Sequence, residues 1–496
     1  MKQLVFCATM LVMGAHILSA DVLTWQPEGT ATWSPTATNW LTSTGNRTAW
    51  IAGSDARFTT NGCIVAIDGE INANALLFEG TGVTLGGAGR LTLTGSIETS
   101  AGTTNSISTE LYATQTIEKS GAGALCVGAC LASLQATEGT LIAASSQQSD
   151  AMLTVKSGAQ LTTWGEPAQA NNLLANGSFE NYLLSANSWK YVRDGAQILP
   201  WVVTVHTQHV GLVYPSGGTE WTSGGSIPHG VQALILQYNG RIEQTATVTE
   251  SGWYSVSFTH WMRRGYYEHA IYVSLDNTML TAVINDAPML FAKRFVSVPC
   301  WLSAGTHTLA IQGEGEWTDR TSILDLVCLG QPSSSTACAA FGGDSEVLLE
   351  NGASATLSHA GTLSPARLVV DPGATISGGG TWSAATDLTW YDFTTLWNPT
   401  PANNVNGLLR IRSALSSLPI TQARRIWFSG TSDYTLASAT LTLTNNTAAT
   451  RTPRISVSDN RTVTLPLTLS ASRTNLTLDT FGTLNLTGAT LEWLAN

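Results

Sequence analysis

The sequence predicts an all-β fold in which β-solenoid segments flank a jelly-roll β-sandwich. Three observations lead there. Short apolar runs of three to five residues alternate with Gly, Asn and Thr at both ends of the chain, and no stretch has helical periodicity. Only 11% of the 496 residues are charged, less than half of the ~25% usual for soluble globular chains. Aromatic residues concentrate in the middle, where the predicted strands lengthen. The 496 residues leave room for several domains of roughly 100–200 residues each. A net charge of -11, with lysine only at Lys2, Lys119, Lys156, Lys190 and Lys293, argues against a nucleic-acid partner, because the phosphate backbone is gripped by clustered Lys and Arg.

Residues 1–20 read as a secretory signal: Lys2 at the start, an apolar stretch from Leu4 to Val12, and the small-residue cleavage site Leu18-Ser19-Ala20. That run is too short to span a bilayer, and no later stretch reaches the ~20 apolar residues a membrane helix needs. No transmembrane segment is expected. Cys7 lies inside the apolar stretch and not at the cut, so no lipid anchor is expected either. The expected location is secreted or cell-surface.

Residues 21–165 form the first solenoid segment. Ala75-Leu-Leu-Phe78, Val83-Thr-Leu85, Leu91-Thr-Leu-Thr94 and Ala124-Leu-Cys-Val127 are short strands, each burying its inward side chains against the next coil. The pattern returns over 333–385 in Ser345-Glu-Val-Leu-Leu349 and Leu368-Val-Val370. It continues over 386–496 in Ala439-Thr-Leu-Thr-Leu-Thr444 and Thr462-Val-Thr-Leu-Pro-Leu-Thr-Leu469.

The N-terminal segment carries Trp25, Trp33, Asn39-Trp40, Trp50, Gly53, Ala56, Phe58, Ala73 to Phe78 and Lys119-Ser-Gly-Ala-Gly-Ala-Leu125. In these residues it resembles the autotransporter-associated β-strand repeat proteins of Gram-negative bacteria. Lys119 to Leu125 looks like that family's Lys-x-Gly-x-Gly-x-Leu signature, and the tryptophans look like its opening cap. A weaker echo occurs at Trp390, Trp397-Asn398, Phe428 and Gly482-Thr-Leu-Asn-Leu-Thr487. The resemblance implies an exported or surface-displayed right-handed β-helix acting as a stalk or adhesin. No translocator barrel or sorting tail follows the repeats, so either the sequence stops short of one or the protein is simply secreted.

Residues 166–332 form the sandwich, with strands such as Trp253-Tyr-Ser-Val-Ser-Phe-Thr-His-Trp261 and His269-Ala-Ile-Tyr-Val-Ser-Leu275. Alternation puts Tyr254, Val256 and Phe258 in the core and turns Ser255, Ser257, Thr259 and Trp261 outward. In the next strand Ile271, Val273 and Leu275 face inward and Tyr272 and Ser274 outward. Read as a hairpin, the two strands bring Trp261 and Tyr272 together on the solvent face. Arg263, Tyr266 and Tyr267 in the connection complete a platform, with Tyr214, Trp221 and Trp317 on neighbouring loops. Aromatic faces stack on sugar C–H groups while arginines bond hydroxyl, sulfate or uronate oxygens, so an extracellular polysaccharide or other glycan is the expected partner. The alternative is that these rings pack against the solenoid.

Six stretches of the sandwich resemble the galactose-binding-like jelly-roll family of bacterial surface and carbohydrate-binding proteins. They are Asn172-Leu-Leu-Ala-Asn-Gly-Ser-Phe-Glu180, Ile198-Leu-Pro-Trp201, Arg241-Ile-Glu-Gln-Thr245, Gly252-Trp-Tyr-Ser-Val-Ser-Phe258, Ala304-Gly-Thr-His-Thr-Leu309 and Asp319-Arg-Thr-Ser-Ile-Leu-Asp-Leu-Val327. In that family the opening and closing stretches lie close together, and many members hold a structural calcium there. Carried over, the ligands are Glu180 and Asp325 with Asn176 or nearby carbonyls. Alternatively, Asp325 accepts backbone N–H bonds from the first strand.

Past the signal, the cysteines are Cys63, Cys126, Cys130, Cys300, Cys328 and Cys338. Cys300 with Cys328 is the favoured disulfide, both lying near the ends of strands in one domain. Cys126-Val-Gly-Ala-Cys130 lacks the second half a zinc site needs. Glu243, Glu250, Glu268, Glu314 and Glu316 are carboxylates that no motif singles out as a catalytic pair. No nucleophile triad, phosphate loop or dinucleotide fingerprint is present. The expectation is a non-catalytic glycan-binding protein. A purely structural stalk and a β-helix polysaccharide-degrading enzyme are the alternatives.

Overall fold

The computed structural model describes residues 20–128, 132–143, 152–164, 167–192, 196–205, 209–215, 221, 226–263, 269–283, 294–315 and 320–333, and beyond these chiefly the strands out to Thr490–Trp493. Residues 1–19 of the signal segment lie outside them. Two single-turn 3-10 helices apart, every named element is a strand. The all-β expectation holds.

Parallel stacking builds the solenoid. Ala56 pairs with Leu76 and Leu76 with Ile97 along one wall. Val65 pairs with Leu85 and Asn105 with Leu125 along a second. A short third wall stacks Glu70–Ala73, Arg90–Leu93 and Glu110–Ala113. Alternating side chains such as Ile71, Leu91 and Leu111 point inward as one column. The turns between walls must admit the neighbouring backbone: a Cβ at Gly121, which has φ +75°, would lie 2.3 Å from the Thr99 carbonyl oxygen.

The Lys119 signature has a physical basis in the same turn. Its side chain is fully buried, and Nζ donates to the carbonyls of Gly121, Gly123 and Glu138 at 2.6, 2.7 and 2.7 Å. At the N-terminal end no coil among the described residues precedes the first one to cover its interior. Trp25, Trp33, Trp40 and Trp50 fill that end in mutual ring contact over Phe58.

The sandwich is an insertion between adjacent coils. On either side of it Leu153 pairs with Val347 and Leu161 with Ala355, both in parallel register. Pro167 and Pro332 form a bridge where the chain leaves and returns. The flanking solenoid segments are therefore one continuous stack, running on through Asp387–Trp390, Asn404–Ile411 and Gln422–Phe428.

One sheet of the sandwich runs in the order Ser188–Tyr191, Val210–Tyr214, Ala233–Gln237, Thr321–Gly330, Gly252–Met262 and Arg294–Leu302; the other runs Val202–Val205, Arg241–Val248, Gly305–Gly313, Ile271–Leu275 and Thr278–Val283. Tyr254, Val256, Phe258, Ile271, Val273 and Leu275 enter the core between them, as alternation requires. Two expectations fail. The Gly252–Met262 and Ile271–Leu275 strands are no hairpin: they belong to opposite sheets, so Trp261 and Tyr272, each turned away from the core, point in opposite directions. Cys300 and Cys328 are both reduced. They flank the Gly252–Met262 strand, opposite Tyr254 and Ser257 respectively. Two inter-strand spacings hold them roughly 9–10 Å apart, beyond the ~7 Å a disulfide spans.

The sandwich meets the solenoid through its Thr278–Val283 and Arg294–Leu302 edge strands. The Trp301 ring lies over Gly62 and Gly82, and a Cβ on Gly82 would come within 2.7 Å of it. The Leu280 carbonyl approaches Gly86 just as closely, leaving no room for a side chain there. Trp164 Nε1 donates to Ser255 Oγ at 2.6 Å, and Ile64 of the solenoid belongs to the sandwich core. The opposite edges, Ser188–Tyr191 and Val202–Val205, face away from the solenoid.

Candidate functional site

The expected platform is dismantled by packing. Trp261 has no exposed surface and joins Val213, Trp221, Ile227, Ala233, Ile235 and Ile323 in a small second core on the outer face of the six-stranded sheet. Its Nε1 donates to the Trp221 carbonyl at 2.7 Å. Trp221 is itself buried, and the Arg263 guanidinium stacks 4.3 Å over its ring. Tyr214 is half-buried against the main core. Periodicity correctly turned Trp261 outward, yet the segment carrying Trp221 and Ile227 folds back over that face and seals it. Tyr272 is half-exposed on the other sheet, opposite Gln312. Burial, assisted by the nearby Glu314 carboxylate, raises its hydroxyl pKa above the usual value. Tyr266, Tyr267 and Trp317 lie outside the described residues.

The expected calcium ligands are engaged with backbone groups. Glu180 Oε1 accepts from the amides of Val231 and Gln232 at 2.9 and 3.0 Å. Asp325 is fully buried; Oδ2 accepts from the His229 amide at 2.8 Å and Oδ1 from the Leu326 amide at 2.7 Å. Asn176 Oδ1 accepts from the Asn181 amide, while its Nδ2 donates to the Ile198 and Leu199 carbonyls. The two carboxylates thus clamp one loop, residues 229–232. Gly230 lets it pass, because a Cβ there would strike Glu180. Amide donors already engage Glu180 Oε1, both Asp325 oxygens and Asn176 Oδ1, so the set is built as a backbone clamp and does not fit a calcium cage. Among the described residues no three His, Cys, Asp or Glu side chains converge as a metal site.

Two histidines that sequence spacing left unconnected are brought together. His260 Nε2 and His269 Nδ1 both lie within hydrogen-bonding distance of Ser322 Oγ, at 3.1 and 2.9 Å, and both rings are fully buried. Burial lowers the His269 pKa against the opposing pull of the Tyr238 and Glu314 carbonyls, which keeps the ring neutral. This buried network joins the two sheets.

Exposed aromatic surface lies instead on the solenoid-distal edge. Trp189 is 52% exposed, the only exposed tryptophan among the described residues. It and Tyr191 project from the outer face of the Ser188–Tyr191 strand, opposite Val213 and Gly211, with ring centroids 5.1 Å apart. The Tyr191 hydroxyl is anchored on Gln237 Oε1. Lys190, opposite the core residue Leu212, projects from the other face of that strand, with Nζ 5.5 Å from the ring of the exposed Tyr182; Leu183 is 64% exposed. The loop carrying Tyr182 and Leu183 is held by Gln232 Nε2, which donates to the Phe179 and Tyr182 carbonyls. Trp189 and Tyr191 together form an aromatic pair on the strand's outer face. The sequence analysis did not single out Trp189 and Tyr191 as a site; the signal was their i, i+2 spacing in a short polar strand.

A family model described as "Protein of unknown function (DUF642)" matches residues 172–290, which takes in this edge. No curated protein matches the chain. Similar solved structures include the carbohydrate-binding module TmCBM61 in complex with β-1,4-galactotriose, at 17% identity over 32% of this chain and 98% of that one, TM-score 0.24. A family 35 carbohydrate-binding module from Clostridium thermocellum matches at 11% identity over 29% of this chain and 98% of its own, TM-score 0.20. The enzymatically active domain of tailspike protein 4 from bacteriophage CBA120 matches at 9% identity over 58% and 52%, TM-score 0.21. Likenesses this distant do not bear on what this chain binds.

Proposed function

We propose that this is an exported, non-catalytic glycan-binding protein whose sandwich domain, inserted on the side of a solenoid stalk, presents the Trp189 and Tyr191 rings on its solenoid-distal edge. The exposed Trp189 ring beside Tyr191 carries the reading. A flat aromatic face on a rigid strand stacks on sugar C–H groups with little ordering cost, and neighbouring polar groups bond the hydroxyls. Its position on the edge opposite the solenoid leaves a long polymer free to approach. Described carboxylates such as Glu79, Glu350 and Glu243 are engaged with Arg57, Lys156 and Arg241, which favours binding over hydrolysis.

The test is a glycan pull-down with the mature chain. Trp189→Ala should abolish retention while leaving stability within about 0.5 kcal/mol of wild type, as for an exposed substitution. Trp261→Ala should instead cost about 3–5 kcal/mol by opening a cavity in the second core. Undiminished retention by Trp189→Ala overturns the assignment. Release of reducing ends from any polysaccharide overturns the non-catalytic reading.

A further inference from the structure

Resting on that glycan-binding reading, we infer that the Trp189 site takes a single free polysaccharide strand and does not adhere to the flat face of a crystalline polymer. A crystalline face presents its sugar rings in one plane, so a protein holds it firmly only with several stacking rings that share a plane. The rings here do not. The Trp189 and Tyr191 planes meet at 80° with centroids 5.1 Å apart, so a planar solid can lie against the face of only one of them. Tyr191 is not free to turn: its hydroxyl is bonded to Gln237 Oε1, and Gln237 Nε2 donates to Thr321 Oγ1 at 2.8 Å. Among the described residues Tyr182 is the one other exposed aromatic ring. It lies beside Lys190, which projects from the other face of the strand.

The ground next to the pair is not flat either. Val213, the strand partner of Trp189, is buried with Trp221 and Ile227 in the second core. A packed layer therefore stands on the same sheet face, one strand in from Trp189. A planar solid laid on the indole meets that layer, whereas a single strand lies along the edge beside it. Trp189 is 52% exposed, and a free chain can rotate about its glycosidic bonds to set one sugar face on the indole and its hydroxyls on nearby polar groups. In a crystal those hydroxyls are bonded to adjacent chains and the sugar rings cannot turn.

The experiment measures retention of the mature full chain on cellulose, chitin and β-1,4-mannan, each offered as crystals and as swollen, amorphous chains of the same polymer. The expected result is retention by the amorphous form of at least one polymer, with at least about tenfold less bound by its crystals at equal accessible surface. Trp189→Ala should abolish the retention. Equal retention by crystalline and amorphous forms, lost in Trp189→Ala, overturns the inference and leaves the glycan site standing. Retention by none of the polymers overturns the inference, and retention that Trp189→Ala does not alter overturns the site itself.

Discussion

Lys119 shows what one residue does in the solenoid. Taking an ammonium out of water is costly, and here burial outweighs the attraction of Glu138 and lowers its pKa to about 8. The three bonds supply donors to the Gly121 and Glu138 carbonyls and a second donor to the Gly123 carbonyl, which also accepts from the Thr140 amide. Lys119→Met should therefore destabilise the protein at pH 7 by about 3 kcal/mol, through loss of those bonds. The pH dependence has a definite sign. Between about pH 8, where the folded lysine titrates, and about 10.4, where an unfolded one does, the unfolded chain holds the proton and the folded chain releases it. Wild-type stability relative to Lys119→Met should rise with pH across that window. Denaturant melts of both proteins from pH 7 to 10.5 check this. Taking the difference cancels the buried thiols of Cys63 and Cys328, whose pKa values, pushed up to about 11 and 12, pull the other way.

At the scale of elements, alternation was enough to assign the faces of Gly252–Met262 and Ile271–Leu275, because a pleated strand admits only two sides. It could not say that the two strands lie in different sheets, since sheet membership depends on which edges are free to pair. Trp261 was read as solvent-facing for the same reason: the residues that cover it, Trp221 and Ile227, are far away in sequence. The docking contact is a further case. Nothing local in the sequence sets Gly62 and Gly82 apart, yet both make room for Trp301. Trp301→Ala should loosen that contact at a cost of about 2 kcal/mol, below the full burial value because the ring is half-exposed. Hydrogen exchange should then quicken in Thr278–Val283 and Arg294–Leu302 while the solenoid strands stay protected. Uniform loss of protection would mean that Trp301 supports the whole fold.

For the whole molecule, the insertion makes the sandwich dependent on the stalk. Ile64 completes its core, and two of its edge strands are covered by the solenoid wall. The isolated segment 167–332 should melt at lower temperature than the same domain in the full chain. It should also self-associate in size-exclusion chromatography through the edges it exposes. A monomeric segment with unchanged melting temperature would show the docking to be energetically idle. The proposed binding surface on the opposite edge would gain from the arrangement, because a fixed base holds Trp189 in one orientation.

The sequence by itself determined the local terms: all-β structure, coil periodicity, and which side of strands such as Gly252–Met262 and Ile271–Leu275 faces a core. These follow from side-chain alternation and turn chemistry, which act over a few residues. Only the tertiary structure decided which outward faces meet water. Trp261 was sealed, Asp325 and Glu180 were turned onto a loop, and Cys300 was parted from Cys328, while Trp189 was left exposed. Exposure depends on what distant chain segments cover, and no pattern of neighbouring residues contains that information.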